Sequence, residues 1–200
     1  MGIKLFIAMP CMRSICVQTV QSLLGLDTKG MDVAYGFSDN SLVYDARNKL
    51  LANAVERKSD LILWMDSDMV VPADALKTLA ENISDEKQFV TGFYNTRQSP
   101  SKPMIVSDLG FKAKDGYIEC SSETYWNHPY GTFEIAGCGF GLCLMTGDMA
   151  KNMVDKYGAP FTHLSGFGED FSFCLRARDE GYKLWCDSKV VAGHIGTKVY

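Results

Sequence analysis

The sequence predicts an α/β protein: a mostly parallel, twisted sheet with helices on both faces and a smaller antiparallel portion towards the carboxyl end. Three observations carry this. Short apolar runs alternate with segments of helical period through residues 4–94. The run Leu61–Met65 (LILWM) is apolar throughout, as a strand buried on both faces has to be. Beyond residue 100 the pattern changes to hairpin-like and glycine-interrupted strands.

Taken in order, residues 4–10 (KLFIAMP) read as a buried strand ending in proline. Residues 14–26 carry Val17, Val20, Leu23 and Leu24 at helical spacing, which predicts a helix with those four facing the core. Residues 31–37 read as a second strand, and residues 38–40 supply polar side chains suited to cap the helix over 41–58. Leu61–Met65 follows as a strand, then a helix opened by Pro72, then a strand over 88–94. Residues 104–119 predict a hairpin turning at Asp115-Gly116. Residues 133–145 read as one strand, Gly147–Tyr157 as a helix, and 169–180 as a last helix stopped by Gly181. Short strands over 183–186 and 190–192 complete the chain.

The 200 residues suit one domain. Hydrophobic content of 46% with 22% charged residues excludes a disordered chain, and a net charge of −4 argues against nucleic acid as the main partner. Seven cysteines, none in a Cys-x-x-Cys pair and several in apolar runs, suit reduced thiols of a cytoplasmic protein. The apolar start is too short for a signal peptide, and no run reaches membrane length.

The most informative segment is LILWMDSDMVVP. A strand that runs into Asp66-Ser67-Asp68 places two carboxylates at the edge of the sheet where α/β proteins bind ligands. Two adjacent carboxylates repel each other and resist desolvation unless a cation joins them. Oxygen ligands select Mg²⁺ or Mn²⁺, which complete their shells with water and substrate phosphate. In the helix predicted over 41–58, Arg47 lies four residues from Val43 and from Leu51, on the apolar stripe. A guanidinium there needs an anion, either a nucleotide phosphate or a carboxylate near Asp66. Glu169 and Asp170 open the last helix, where the helix dipole favours the ionised form, and an ionised carboxylate behind the Gly166-Phe167-Gly168 loop could accept a proton from an attacking hydroxyl. His194 stands between glycines after an apolar strand. Trp126, Tyr125, Tyr130 and Phe133 could stack on a sugar or pack in the core.

Taken together, AMP after the first strand, the ARN helix, DSD, GCGFG, GED and a late histidine resemble the GT-A-type glycosyltransferases, most closely their family-two-like class, over residues 4–196. The resemblance implies a Rossmann-like GT-A fold and a metal-dependent transfer from a UDP- or GDP-linked sugar to a hydroxyl of a glycan or other acceptor. It places Ala8, Met9 and Pro10 at the nucleotide base, with Arg47, Asp66 and Ser67 completing the donor site. Asp66, Asp68 and His194 are the implied ligands of Mn²⁺ or Mg²⁺. Gly137, Cys138, Gly139 and Gly168 would line the sugar and acceptor side, with Asp170, beside Glu169, as the base of an inverting enzyme. The stretch from ARNKLL to DSDMVVP is also similar to the Anp1/Mnn9-type mannosyltransferases, which retain configuration. The acid that many relatives carry after the second strand is represented at best by Asp39. Two other readings stand beside this one. DSDMV matches the Asp-x-Asp-x-Val/Thr signature of haloacid-dehalogenase-like phosphatases, with Asp66 as nucleophile, although those carry it on their first strand. A nucleotide-sugar or glycan-binding module would keep the fold without turnover.

Overall fold

The computed structural model describes residues 2–39, 41–114 and 117–196. Its centre is a seven-stranded sheet built from β1 (Ile3–Pro10), β2 (Met31–Ser38), β3 (Leu61–Met65), β5 (Phe89–Phe93), β8 (Thr132–Ile135), β10 (Leu142–Thr146) and β11 (Leu184–Val191), in the order β2-β1-β3-β10-β5-β11-β8. β1 pairs in parallel with β2 and β3, and β5 with β11, whereas β10 and β8 run antiparallel to their neighbours.

Strand alternation divides the apolar residues between two cores. Leu5, Ile7 and Met9 join Leu61, Leu63 and Met65 on one face, under α1 (Val17–Gly25) and α3 (Ala75–Ala80). Phe6 and Ala8 join Ile62 and Trp64 on the other, under α2 (Val43–Glu56), α4 (Gly147–Tyr157) and α5 (Glu169–Asp179). A strand covered on both sides leaves no place for polar residues, hence the unbroken LILWM run. A smaller antiparallel sheet, β7-β6-β9, is formed by β6 (Ile105–Lys114), β7 (Tyr117–Thr124) and β9 (Gly137–Cys138). A two-stranded ribbon joins β4 (Met69–Val70) to β12 (Gly193–His194). The fold class predicted from the sequence is therefore the one observed.

Several local expectations are corrected. Val17 and Leu24 are 71% and 80% exposed, and Val20 is exposed as well, while Thr19 is buried beside Leu23. Periodicity located the helix, but it could not tell which of two partly apolar faces docks. The cap of α2 is Leu42, with no side-chain capping bond; Asn40 lies outside the described residues. The strand expected over 133–145 is three strands, β8, β9 and β10, which belong to different positions in two sheets. Its glycines mark the breaks. β10 inserts antiparallel between β3 and β5, so the early strands do not form one continuous parallel series. The two short terminal strands are one, β11, with a register shift between Asp187 and Val191. The helix after Pro72 begins at Ala75. The hairpin is present as β6 and β7, and its turn at Asp115-Gly116 lies outside the described residues. All seven cysteines are free thiols. Among the described residues no helix is long and apolar enough to cross a membrane.

Candidate active site

A cavity of about 520 Å³ opens beyond the carboxyl ends of β1, β3 and β5, lined by residues of both halves of the chain, among them Pro10, Arg47, Asp66, Ser67, Asp68, Tyr94, Gly139, Asp170 and His194. This is the edge at which parallel sheets present loops and bind ligands. A larger cavity of about 730 Å³ lies at the amino ends of β1 and β3, lined by Ile3, Asp60 and Leu61. There Asp60 accepts the Lys4 N–H and Lys151 pairs with Asp155. The chemistry is concentrated at the first.

Arg47 is the organising cation. Its side chain is only 3% exposed; Nη2 donates to Asp66 Oδ1 at 3.0 Å, and Nε donates to Glu169 Oε1 at 3.4 Å. The guanidinium lies 5.8 Å from the centre of the Trp64 ring and 5.5 Å from that of Phe140. Burial opposes its charge, yet Asp66, Glu169 and Asp170 more than offset this, and its pKa is raised. Nη1 has no partner among the described residues. Of the two anions expected for Arg47, the carboxylate is the one observed. The neighbouring Asn48 turns away and accepts the Phe161 N–H.

The two aspartates of the acidic pair have different surroundings. Asp66 is bound to Arg47, and burial raises its pKa against that attraction. Asp68 faces His194 Nε2 at 3.5 Å through Oδ1 and Arg97 Nη1 at 2.7 Å through Oδ2. Burial works against its ionisation, but those two partners outweigh it and hold the carboxyl below its usual range. His194 comes from the far end of the chain. Its backbone is carried there by the β4–β12 pairing, in which His194 stands opposite Met69, and by the Ile195 N–H donating to the Asp68 carbonyl at 2.8 Å. His194 Nδ1 lies 3.0 Å from the Asn95 carbonyl. A carbonyl can only accept, so Nδ1 carries a proton; Asp68 favours a second proton on Nε2, and when the ring gives that one up its lone pair is on Nε2. That is the tautomer a metal ligand needs. Among the described residues no three His, Cys, Asp or Glu side chains close into a cage; Asp68 and His194 form an open pair.

Asp170 and Glu169 sit at the start of α5, as expected, but the helix terminus does not keep Asp170 readily ionised. Burial, followed by the charge of Glu169, raises its pKa to about 6, although the Phe171 N–H donates to Oδ1 at 2.7 Å. Desolvation and the neighbouring charge of Glu169 together outweigh the dipole. Gly139 is opposite. A Cβ there would stand 2.5 Å from the Tyr94 hydroxyl, 2.7 Å from Met104 Cε and 3.5 Å from Asp170 Oδ2, so this close approach requires glycine.

Other expected site residues are placed elsewhere. Ala8 and Met9 are fully buried in the two cores and do not line the cavity, because a strand inside a covered sheet turns its side chains into the layers; Pro10, at its end, does line it. Gly137 and Cys138 are buried, with Gly137 packed near Leu109 and Cys174, and only Gly139 of that trio reaches the cavity. Gly168 caps α5 beside Asp170 without lining the cavity. Tyr125 and Phe133 pack around His128, whereas Trp126 and Tyr130 are exposed. Tyr94, Arg97 and Met104 line the cavity and were missed by sequence reasoning. Tyr94 had a signal, a polar-tipped aromatic directly after an apolar strand; Arg97 had none.

The order of these elements, and an acidic pair after β3, coincide with a known family. The family model described as Glycosyl transferase family 2 matches residues 18–143, well over half of the chain. The chain belongs to glycosyl transferase family 2. This glycosyltransferase is thus an enzyme that draws on a nucleotide-sugar donor, and the matched span contains Arg47, Asp66, Asp68 and Gly139. Among solved structures, the crystal structure of A197 from STIV superposes with a TM-score of 0.69 at 19% identity, covering 98% of this chain and 86% of that one. The crystal structure of GalNAc-T7 with UDP, GalNAc and Mn²⁺ superposes with a TM-score of 0.61 at 10% identity, covering 98% of this chain and 44% of that one. Both likenesses are of fold, which is GT-A. No curated protein sequence matches the chain.

Proposed function

We propose that this glycosyltransferase moves a sugar from a UDP- or GDP-linked donor to an acceptor hydroxyl, with a divalent cation, Mn²⁺ or Mg²⁺, held by Asp68 and His194. The observation that carries this is the Asp68–His194 pair: a carboxylate below its usual range, facing an imidazole whose other nitrogen is tied to the Asn95 carbonyl. Of these two cations, Mn²⁺ accepts a nitrogen ligand beside carboxylate oxygen more readily than Mg²⁺ does. Such a cation supplies positive charge against the diphosphate as it leaves. UDP is the first nucleotide to test, because GalNAc-T7, similar in fold, was crystallised with UDP and Mn²⁺.

Residues 1–95 form the donor half in this reading, and residues 96–200 the acceptor half. Pro10 and Ser67 line the donor side of the cavity. Arg47 supplies fixed positive charge behind the wall of the donor site, while Nη2 and Nε keep Asp66 and Glu169 in place. Asp66 is the second carboxylate near the cation, held back by Arg47 until the donor enters. On the acceptor side, Asp170 is positioned against Gly139 as a base of raised pKa, and takes the proton from the attacking hydroxyl. A phosphatase using Asp66 as nucleophile is disfavoured by the family match and by the Arg47 bond to that carboxylate.

Calorimetric titration of UDP and GDP, with Mn²⁺ and after chelation, tests this on the wild type and on Asp68→Ala. One nucleotide is expected to bind only with metal, and the substitution is expected to abolish binding. If the folded protein binds neither nucleotide under any metal condition, the assignment fails.

A further inference from the structure

The loop between β5 and β6 delivers an arginine onto the same carboxylate that faces His194. Arg97 Nη1 is 2.7 Å from Asp68 Oδ2, while Oδ1 is turned to the imidazole. The base of the loop is closed by the Asn95–Pro103 bridge and by the Thr96 N–H donating to the Lys102 carbonyl at 2.8 Å, so the arm starts from a fixed point. Its head is free to leave: the Arg97 side chain is 53% exposed, against 20% for Asp68. Arg47, by contrast, is locked in the interior between two carboxylates. Ion pairs at a solvent edge are weak and readily exchanged.

We propose that Arg97 is an exchangeable counter-ion: it neutralises Asp68 while no metal is present, and turns to the donor diphosphate once a divalent cation takes that carboxylate. The inference rests on the metal-site reading above. A cation between Oδ1 and His194 draws on the single charge of that carboxylate and repels the guanidinium on Oδ2, so cation entry weakens the hold on Arg97. The displaced fork remains on the cavity wall, within the reach of its own arm, and its geometry matches phosphate oxygens. Metal and nucleotide then reinforce one another's binding: metal alone has to compete with Arg97, whereas metal with a diphosphate gives the arginine a new partner.

Mn²⁺ affinity, followed by electron paramagnetic resonance with and without saturating UDP or GDP, separates these states in the wild type, Arg97→Gln and Arg13→Gln. Arg13 is exposed on the wall of the same cavity, so its substitution removes equal charge and reports the general field effect. For Mn²⁺ alone, Arg97→Gln is expected to bind about fivefold more tightly, the scale of losing one partly exposed ion pair, and Arg13→Gln to stay within about twofold of wild type. With Mn²⁺ saturating, Arg97→Gln is expected to bind the nucleotide about tenfold more weakly, as for a lost charge-assisted contact. Equal shifts in both variants, or an unchanged or weakened Mn²⁺ affinity in Arg97→Gln, overturn the proposal. If wild type binds Mn²⁺ and nucleotide and Arg97→Gln does so with the same constants, only the role of Arg97 falls. If folded wild type binds neither, the metal-site reading falls with it. Circular dichroism confirms folding of each variant.

Discussion

The Tyr94 hydroxyl accepts the Gly141 N–H at 2.8 Å, and the Gly141 carbonyl accepts the Asp66 N–H at 3.0 Å. One buried phenol thus holds the turn that holds the backbone of the acidic pair. Tyr94 is nearly fully buried, and burial raises its pKa well above the usual tyrosine value, so it stays a neutral hydroxyl. Tyr94→Phe leaves the Gly141 N–H without an acceptor in a dry site, at an expected cost of about 1–3 kcal/mol. Chemical denaturation measures the cost. Metal-dependent nucleotide affinity should weaken in the same variant, because Asp66 loses its support; an unchanged affinity would show that the turn holds without the phenol.

Arg47, itself buried, neutralises Asp66 and Glu169, whose side chains are 29% and 15% exposed. Arg47→Met strands both carboxylates, and an expected loss of about 3–5 kcal/mol follows from breaking a buried pair on one side. Adding Glu169→Gln should return part of it, since one of the stranded charges is gone. Denaturation midpoints of the single and double variants decide this, and a double variant less stable than the single would contradict it.

Asp170 is the group whose titration reports most directly on both stability and rate. Its folded pKa, about 6, lies above the ordinary carboxylate value, so the folded state prefers the protonated form. The stability it contributes is complete below pH about 4 and is lost as pH rises through about 6. At neutral pH the ionised carboxyl therefore destabilises the fold, by at most about 2–3 kcal/mol for a carboxyl raised to about 6. Asp170→Asn should melt higher than wild type at pH 7–8 and no higher at pH 4, while transfer falls by about two orders of magnitude or more, as for a lost general base. The wild-type rate should decline below pH 6. A variant that retains full transfer removes Asp170 from the mechanism.

His194 takes its raised pKa first from its bond to Asp68. The sign for the metal-free protein follows: the His194 contribution to stability is present below its ordinary pKa and lost as pH rises through the raised value. The Asp68 contribution is present above its ordinary value and lost as pH falls through the lowered one. Mn²⁺ needs the neutral ring, so its affinity should fall as pH drops through the His194 range and a proton should be released on binding. Calorimetry in buffers of different ionisation enthalpy detects that proton. His194→Ala should lower Mn²⁺ affinity at least about tenfold, the lower end of what even an outer-shell partner contributes. A pH-independent Mn²⁺ affinity would place the metal elsewhere.

Much of this architecture was legible in advance where one residue type had one physical meaning. LILWM read as a strand covered on both faces, which it is, and the acids follow it at its carboxyl end. Arg47 on an apolar stripe demanded a buried anion, and it has two. Legibility failed where equal local patterns allow different packing. Val17, Val20 and Leu24 have the spacing of a core face, yet the opposite side of α1 is docked. Ala8 and Met9 sit two residues and one residue from cavity-lining Pro10, yet the pleat sends them into the cores.

The sequence by itself determined the fold class, the strand that ends in the acidic pair, and the residue types able to hold a cation, because apolar periodicity and the cost of burying charge act locally. Only the tertiary structure decided that β10 enters antiparallel beside β3, that β12 brings His194 against Asp68, and that Arg97 stands across from it. Those contacts depend on strand pairing and loop placement between distant parts of the chain. They follow from how the two cores close around the sheet, which no short stretch of sequence encodes.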